Sequence, residues 1–409
     1  MGKKILMIII DGLSDRPIDG KTPLSTARTP NMDTLAANGI NGIMDTISPG
    51  IRPGSDTAHL TLLGFDPYQC YSGRGPIEAT GAGINIRPGD VCFRVNFGTV
   101  EGEGSVFDKT VTDRRAGRIS ETDELINAIN DNVELDVEFI FKRGTGHRGA
   151  LVLRGEGLSD EVTATDPKSI GKQVKQCKAK SEEGERTAHI VNSFMEQAHK
   201  ILDEHPYNVQ REKEGLMKGN VLLLRGVGLS VQVPSFEEKI GIKLGVVAGT
   251  TLIKGVGKFV KGDIITPPGV TGGKDTDLTA KIKGGIEALE THDFVLLHIK
   301  ATDEYGHDGD FEGKKEFIEE IDKNLDILKN IDYEQVLLIL TADHSTPIMS
   351  KEHTADPVPV LIAHKGVRVD EVNAFSEFEA YKGGNCRIRG CDLINICLDL
   401  VDKSQKFGA

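Results

Sequence analysis

The sequence predicts an α/β protein with a largely parallel sheet flanked by helices, plus an inserted smaller α/β domain. Three observations predict it. Strand-like apolar runs alternate with amphipathic helical segments at both ends of the chain. The runs toward the back are nearly continuous in Val, Ile and Leu, the pattern of strands buried on both faces. The middle of the chain reads as a second set of strands and one long helix, and 409 residues are enough for two or three cores.

Each element follows from its residues. KKILMIIIDG has the basic start of an export signal, but its apolar stretch is short, ends at Asp11-Gly12 and carries no small-residue cleavage site, so it reads as a buried strand. A helix follows at TPNMDTLAANG, where Thr29 can cap, Pro30 suits the first turn and Gly39 suits the stop. The glycine-rich YSGRGPIEATGAG precedes the strand-like segments VCFRVNFGTV, LDVEFIFKR, GALVLRG and NVLLLRG, with a helix at RTAHIVNSFMEQAHKILDEH. Residues 75–230 are therefore read as an inserted domain, and residues 1–74 with 231–409 as one discontinuous domain. Gly81, Gly83, Gly226 and Gly228 lie near the two crossings and offer hinge freedom. At the back, KLGVVAG, FVLLHI, QVLLILT and VPVLIA are central strands.

Composition narrows the function. Acidic residues outnumber basic ones by 62 to 49, which argues against a nucleic-acid partner while leaving room for an anionic small molecule at a local arginine cluster. No apolar stretch approaches the roughly 20 residues of a membrane span, so no membrane partner and a cytoplasmic location are expected. The six cysteines, scattered from Cys70 to Cys397 without a Cys-x-x-Cys pair, read as buried apolar fillers. Monomer and homo-oligomer both remain open.

Three predicted strands end in metal-ligand residue types: IIID at Asp11, LLHIKATDEYGH at Asp303 and His307, and LLILTADH at Asp343 and His344, with His353 following in SKEHTADP. Carboxyl ends of parallel strands line a common crevice, so these residues can converge. Carboxylates mixed with imidazoles suit Mn or Zn better than an all-oxygen set would, and there are enough for two ions. Alone, Asp11-Gly12 after a strand is more often a turn, Asp303 with His307 more often a solvated loop, and Asp343-His344 reads equally well either way; their shared position after strands, together with a candidate nucleophile, carries the argument. Ser55, in IRPGSDTAHLTLLGFDP, follows a Pro-Gly turn at the start of a helix, where backbone N–H groups favour a phosphate. In isolation it reads as a simple capping serine. A divalent ion would activate its hydroxyl for attack.

With TPNMDTLA after the first strand, this set resembles the alkaline phosphatase superfamily. The motifs PGSDTAHLTLLGFDP, DRRAGR and TLIKGVGK further resemble the archaeal cofactor-independent phosphoglycerate mutases, over essentially the whole chain. The resemblance implies an alkaline-phosphatase-like core and interconversion of 2- and 3-phosphoglycerate through a phosphoserine at Ser55. It implies two divalent ions, Mn first with Zn, Co or Mg as alternatives, and no 2,3-bisphosphoglycerate. Asp11, Ser55, Asp343 and His344 would surround one ion, and Asp303, His307 and His353 the other. Arg114, Arg148, Arg94, Arg225 and Lys254 would bind substrate, with Arg115 and Arg118 nearby and the insert acting as a lid. For Arg94, Arg118 and Arg225 a surface cation is an equal reading. The histidine-bearing GGVHSH-like segment of the longer bacterial mutases is absent, which leaves Asp113 as the candidate for proton transfer on the glycerate hydroxyl, while His147 beside Arg148 reads as either structural or functional.

Other functions use the same residues. A metal-dependent phosphomonoesterase would let water take the phosphate, and a phosphopentomutase would share the metal motifs but not DRRAGR. A non-catalytic metal-binding protein would not need Ser55 together with every ligand position.

Overall fold

The computed structural model describes residues 2–408. They divide into two compact units, one running through Gln69 and resuming at Pro234, the other Cys70–Val233.

The first unit is built on an eight-stranded sheet. Its order is Arg387–Arg389, Ile40–Asp45, Val358–Ala363, Val336–Thr341, Lys4–Ile10, Phe294–Ile299, Leu244–Val247 and Asp263–Ile265. Every pairing is parallel except those of Val358–Ala363, which runs against both neighbours. Consecutive residues of Lys4–Ile10, Phe294–Ile299 and Val336–Thr341 are buried, so both faces of these strands are covered. The three are adjacent and parallel, and their carboxyl ends therefore open at one edge of the sheet. The helix Ser55–Leu62 packs against helices Thr251–Phe259 and Gly390–Leu400.

Two local expectations differ from the structure. Thr29 stands at the start of helix Pro30–Ala37, but its hydroxyl makes no capping bond. The free N–H groups are taken instead by Asp322, which accepts from Asn31 N at 3.2 Å and Met32 N at 2.8 Å. A carboxylate from another helix serves the same electrostatic purpose as a local cap. Cysteines 386 and 391 are exposed, unlike the other four, so the reading of all six as buried fillers fails for these two.

The second unit carries a five-stranded sheet in which every pairing is antiparallel. Its longest strand, Val91–Glu101, pairs with Thr110–Asp113, Arg148–Arg154 and Val221–Leu229, and Glu138–Arg143 pairs with Arg148–Arg154. One face buries Val91, Phe93, Val95 and Phe97 beneath helices Asp123–Asn132 and Glu185–Glu204. The other face packs Cys92, Ala150 and Val152 against Ala79 of helix Arg74–Gly81. That helix arises from the glycine-rich stretch. Gly81 ends the helix, and Gly226 and Gly228 lie inside the strand Val221–Leu229. At Gly228 a Cβ would stand 2.8 Å from Ser72 Oγ and 2.9 Å from Gly73 N; the glycine allows close backbone approach. Among the described residues, no helix is long and apolar enough to cross a membrane.

Candidate active site

In the first unit, the expected metal ligands come together. Asp11 follows Lys4–Ile10, Asp343 and His344 follow Val336–Thr341, and Ser55 is the first residue of its helix with Gly54 at the cap, so the simple capping role falls away. Asp303 and His307 lie one turn apart on helix Ala301–Asp308, where the sequence suggested a loop. Gly12 makes the bend after Asp11 with φ +63°, and a Cβ there would meet Thr346 Oγ1 at 2.6 Å and Asp303 Cα at 2.9 Å. Its N–H donates to Asp343 Oδ1 at 3.1 Å.

His344 Nε2 is the focus of one group. It lies 3.1 Å from Ser55 Oγ, 3.3 Å from Asp11 Oδ1 and 3.2 Å from Asp343 Oδ2. Thr346 Oγ1 donates to Asp303 Oδ1 at 2.6 Å, so it accepts from His344 Nδ1–H at 3.1 Å. This fixes the proton on Nδ1 and leaves the Nε2 lone pair facing two carboxylate oxygens. Those oxygens, Asp11 Oδ1 and Asp343 Oδ2, are buried and have no hydrogen-bond partner. Burial, above all, holds His344 down at about 3, so the ring is neutral. A neutral imidazole nitrogen converging with two buried carboxylate oxygens that have no hydrogen-bond partner fits a cation.

The second group has the same design. His353 Nδ1–H donates to Pro53 O at 2.9 Å and His307 Nδ1–H to Lys351 O at 2.8 Å, so both present Nε2 toward Asp303, each at 3.4 Å. His353 stacks on His344 with ring centres 3.5 Å apart. Ligand atoms of Asp303, His344 and His353 lie within 4.8 Å of one another, as do those of Asp11, Asp343 and His344, so His344 is within reach of both groups.

Charges in the two groups are unevenly held. Burial pushes Asp343 well above the usual carboxylate range, with Asp11 adding to it. Burial also presses Asp303 upward, but Lys300, His307 and His353 overcome it and hold Asp303 well below that range. Asp11 is likewise held low by Lys300, His298 and His344 against burial. The bond to Asp303 raises His307 to about 9.

Sequence reasoning missed three residues here. His298 Nε2 donates to Asp11 Oδ2 at 2.9 Å, His59 Nδ1 bonds Ser55 O at 2.7 Å, and Lys300 Nζ contacts both Asp11 and Asp303. His298 and Lys300 sit in the motif LLHIKATDEYGH itself, and His59 stands one helical turn after Ser55. Beneath the loops, the fully buried Lys314 donates to Ser14 O, Asp15 Oδ2 and Thr346 O at 3.3, 2.9 and 3.1 Å. It ties the segment after Asp11 to the segment after His344. Lys254 lies half-buried on helix Thr251–Phe259, its ammonium pushed down by burial and by Lys258.

The second unit gathers arginines. Arg94 is paired across strands with Arg225, and Asn96 with Arg148; residues 94 and 96 share a face, so the three arginines point to the same side of the sheet. Arg94 is only 6% exposed and its Nε has no hydrogen-bond partner. Burial, then Arg74, Arg225 and Arg148, push it down to about 8, opposed by Glu78. Arg114 makes two bonds to the buried Asp166, at 3.1 and 2.7 Å, and Arg225 approaches the same carboxylate at 3.6 Å. Glu78 stands 3.1 Å from Arg74 and 3.6 Å from Arg94. Arg74, Glu78 and Asp166 were not anticipated. Arg115 and Arg118 are exposed on the turn, where Asp113 Oδ1 accepts from the N–H groups of Arg115 and Gly117. His147 is held neutral, at about 4, by burial and by Arg148, Arg115, Arg94 and Arg225.

Known proteins share this arrangement of sequence and fold. A family model for 2,3-bisphosphoglycerate-independent phosphoglycerate mutase matches residues 36–208. A 2,3-bisphosphoglycerate-independent phosphoglycerate mutase of Archaeoglobus fulgidus is 65% identical, covering 99% of this chain and 100% of its own. The PH0037 protein of Pyrococcus horikoshii has a solved structure matching at TM-score 0.85 and 39% identity, over 100% of both chains. A cofactor-independent phosphoglycerate mutase of Thermoplasma acidophilum matches at TM-score 0.68 and 36% identity, over 98% of this chain and 100% of that one. With relatives this similar over the full length, the chain belongs to the 2,3-bisphosphoglycerate-independent phosphoglycerate mutase family.

Proposed function

We propose that the chain interconverts 2-phosphoglycerate and 3-phosphoglycerate with Ser55 as the transient phosphate carrier. The observation that carries the reading is Ser55 Oγ, 3.1 Å from the neutral His344 Nε2 and beside two buried carboxylate oxygens without partners. Asp11, Ser55, Asp343 and His344 would hold one divalent ion and Asp303, His307 and His353 the other. Such ions, Mn first and Zn, Co or Mg as alternatives, supply a lowered serine pKa and charge compensation for the phosphate.

The residues have separable tasks. Ser55 Oγ attacks phosphorus; its bond to phosphorus forms as the bond to the substrate oxygen breaks, Oγ loses its proton and the released alkoxide gains one. Glycerate then turns, and its other hydroxyl takes the phosphate back while giving up its own proton, as the bond between Ser55 Oγ and phosphorus breaks and Oγ regains a proton. Because Ser55 stores the phosphate, 2,3-bisphosphoglycerate has no part. The arginines on the sheet face of the second unit hold the carboxylate of glycerate, since planar guanidinium groups match carboxylates in two-point bonds. Asp113, with Oδ1 engaged in its turn, retains Oδ2 for the proton on the glycerate hydroxyl. Lys254 is assigned to the substrate phosphate. The insert acts as a lid that keeps glycerate from leaving and water from entering. A cytoplasmic location is part of the same reading.

Phosphorus NMR of the protein with Mn and 3-phosphoglycerate tests it. A 2-phosphoglycerate signal growing without added bisphosphoglycerate is expected. Release of free phosphate alone would mean a phosphomonoesterase.

A further inference from the structure

We infer that Lys300 holds the place of a metal cation: its ammonium bridges the two ligand groups in the metal-free protein and gives way when divalent ions bind. The inference rests on the metal reading of the site above.

The bridging is direct. Lys300 Nζ stands 3.0 Å from Asp11 Oδ2 and is hydrogen-bonded to Asp303 Oδ2, so one ammonium touches a carboxylate of each group. Local structure puts it there. Lys300 follows Phe294–Ile299, the parallel neighbour of the strand that ends at Asp11, and comes three residues before Asp303 at the opening of a helix. Asp11, Asp303 and Asp343 are each no more than 2% exposed, and buried carboxylates with no counter-charge are strongly disfavoured.

On Asp303, Lys300 occupies an oxygen that an ion needs, whereas on Asp11 it contacts Oδ2 and leaves open the Oδ1 that faces His344. Asp303 Oδ1 already accepts the Thr346 hydroxyl, which leaves Oδ2 as its more available ligating oxygen. That oxygen also faces His307 Nε2 at 3.4 Å, and it is the one Lys300 contacts. A monovalent ammonium and a divalent ion on the same carboxylate oxygen repel each other. The lysine has a way out, because its side chain is 22% exposed while the carboxylates are enclosed. Its flexible four-carbon stem lets the charge swing without moving the backbone.

Two other roles would leave different traces. A lysine that orients Asp11 for ligation would strengthen metal binding, so its loss would weaken it. A plain structural ion pair would stabilise the loaded and the stripped protein alike.

The experiment is calorimetric titration of chelator-stripped protein with Mn at one fixed pH, comparing wild type with Lys300→Met and Lys300→Gln. Both variants should bind Mn at least tenfold more tightly, and thermal melts should show a lowered Tm for the stripped variants with the loaded ones unchanged. Affinity equal to or weaker than wild type in both variants overturns the inference. If a stripped variant does not stay folded, release of Mn from the loaded variant to excess chelator replaces the titration: slower release than wild type is expected, and equal or faster release overturns the inference. A wild-type protein that takes up no Mn would instead sink the metal reading itself, so the two failures are distinguishable.

Discussion

The two units bury opposite kinds of charge. The first encloses Asp11, Asp303 and Asp343, and partly offsets them with Lys300. The second groups Arg74, Arg94, Arg114, Arg148 and Arg225, and partly offsets them with Glu78 and Asp166. The difference teaches which ligand each awaits: oxygens without hydrogens call for cations, and the unpartnered Nε of a buried guanidinium calls for an anion.

The comparison breaks most completely at Ser55. Ser55→Ala removes the hydroxyl proposed to carry the phosphate, and turnover should fall by roughly 10⁴ or more. Gly54 caps the helix, so the thermal transition should hardly move. Substantial isomerisation by a folded Ser55→Ala protein would end the phosphoserine proposal.

Next in size is Lys314→Met, directed at the support of the acidic cluster. Burial pushes Lys314 down and Asp15 up, and their contact at 2.9 Å opposes both shifts. Removing the ammonium strands a buried carboxylate and two backbone carbonyls, at a cost of about 3–5 kcal/mol. Thermal melts should show a drop of several degrees. Since Lys314 ties the loops bearing Asp11 and His344, Mn affinity should also fall; an unchanged affinity would mean that the loops hold their places without it.

How much of this was legible differs between the units for the same reason. Asp11, Ser55, Asp303, Asp343 and His344 each follow closely on a strand or a Pro-Gly turn, and strand ends are visible in a sequence. Lys300 and His298 belong to the same motif, yet their roles depend on which strand lies beside Phe294–Ile299, and pairing is not written in a periodicity. The arginine face rests entirely on register, 94 opposite 225 and 96 opposite 148; a shift of one residue would send them to the other face. The reversed direction of Val358–Ala363 was hidden because a strand buried on both faces reads the same either way. Glu78 escaped because YSGRGPIEATGAG looks like a loop until it packs on a sheet.

Arg148→Ala sharpens the basic side. Loss of a charge-assisted bond to glycerate is worth roughly 1.5–3 kcal/mol, which should lower the mutase rate about tenfold to a hundredfold. Bound Mn should stay the same, and the ratio of free phosphate released to phosphoglycerate isomerised should rise. Arg118→Ala, on an exposed turn, serves as the control and should change neither quantity. An unchanged ratio and rate in Arg148→Ala would remove the main support for the insert as the holder of glycerate.

The smallest expected effect is a pH dependence confined to the acidic cluster. In the stripped protein, the hydrogen bond to Asp303 raises His307 from 6.5 to about 9. A group whose folded pKa is raised binds its proton more tightly in the folded state. Its contribution to stability is therefore complete below 6.5 and is lost as pH climbs to 9. The side chain is partly open to solvent, which screens the pair and keeps the effect small. Stripped wild type should melt at progressively lower temperature between pH 6.5 and 9, and His307→Ala should flatten that slope. Metal binding should run the opposite way, because a ligand imidazole must first lose its proton. Mn affinity should rise across the same window in wild type and rise less in His307→Ala. In the basic unit His147 is already held neutral at about 4 and adds nothing to this window, whereas Arg94, pushed down to about 8, enters it at its upper end. Equal slopes for wild type and His307→Ala would mean that Asp303 does not hold His307 in its protonated form, and that the second ligand group is less tightly paired than its distances imply.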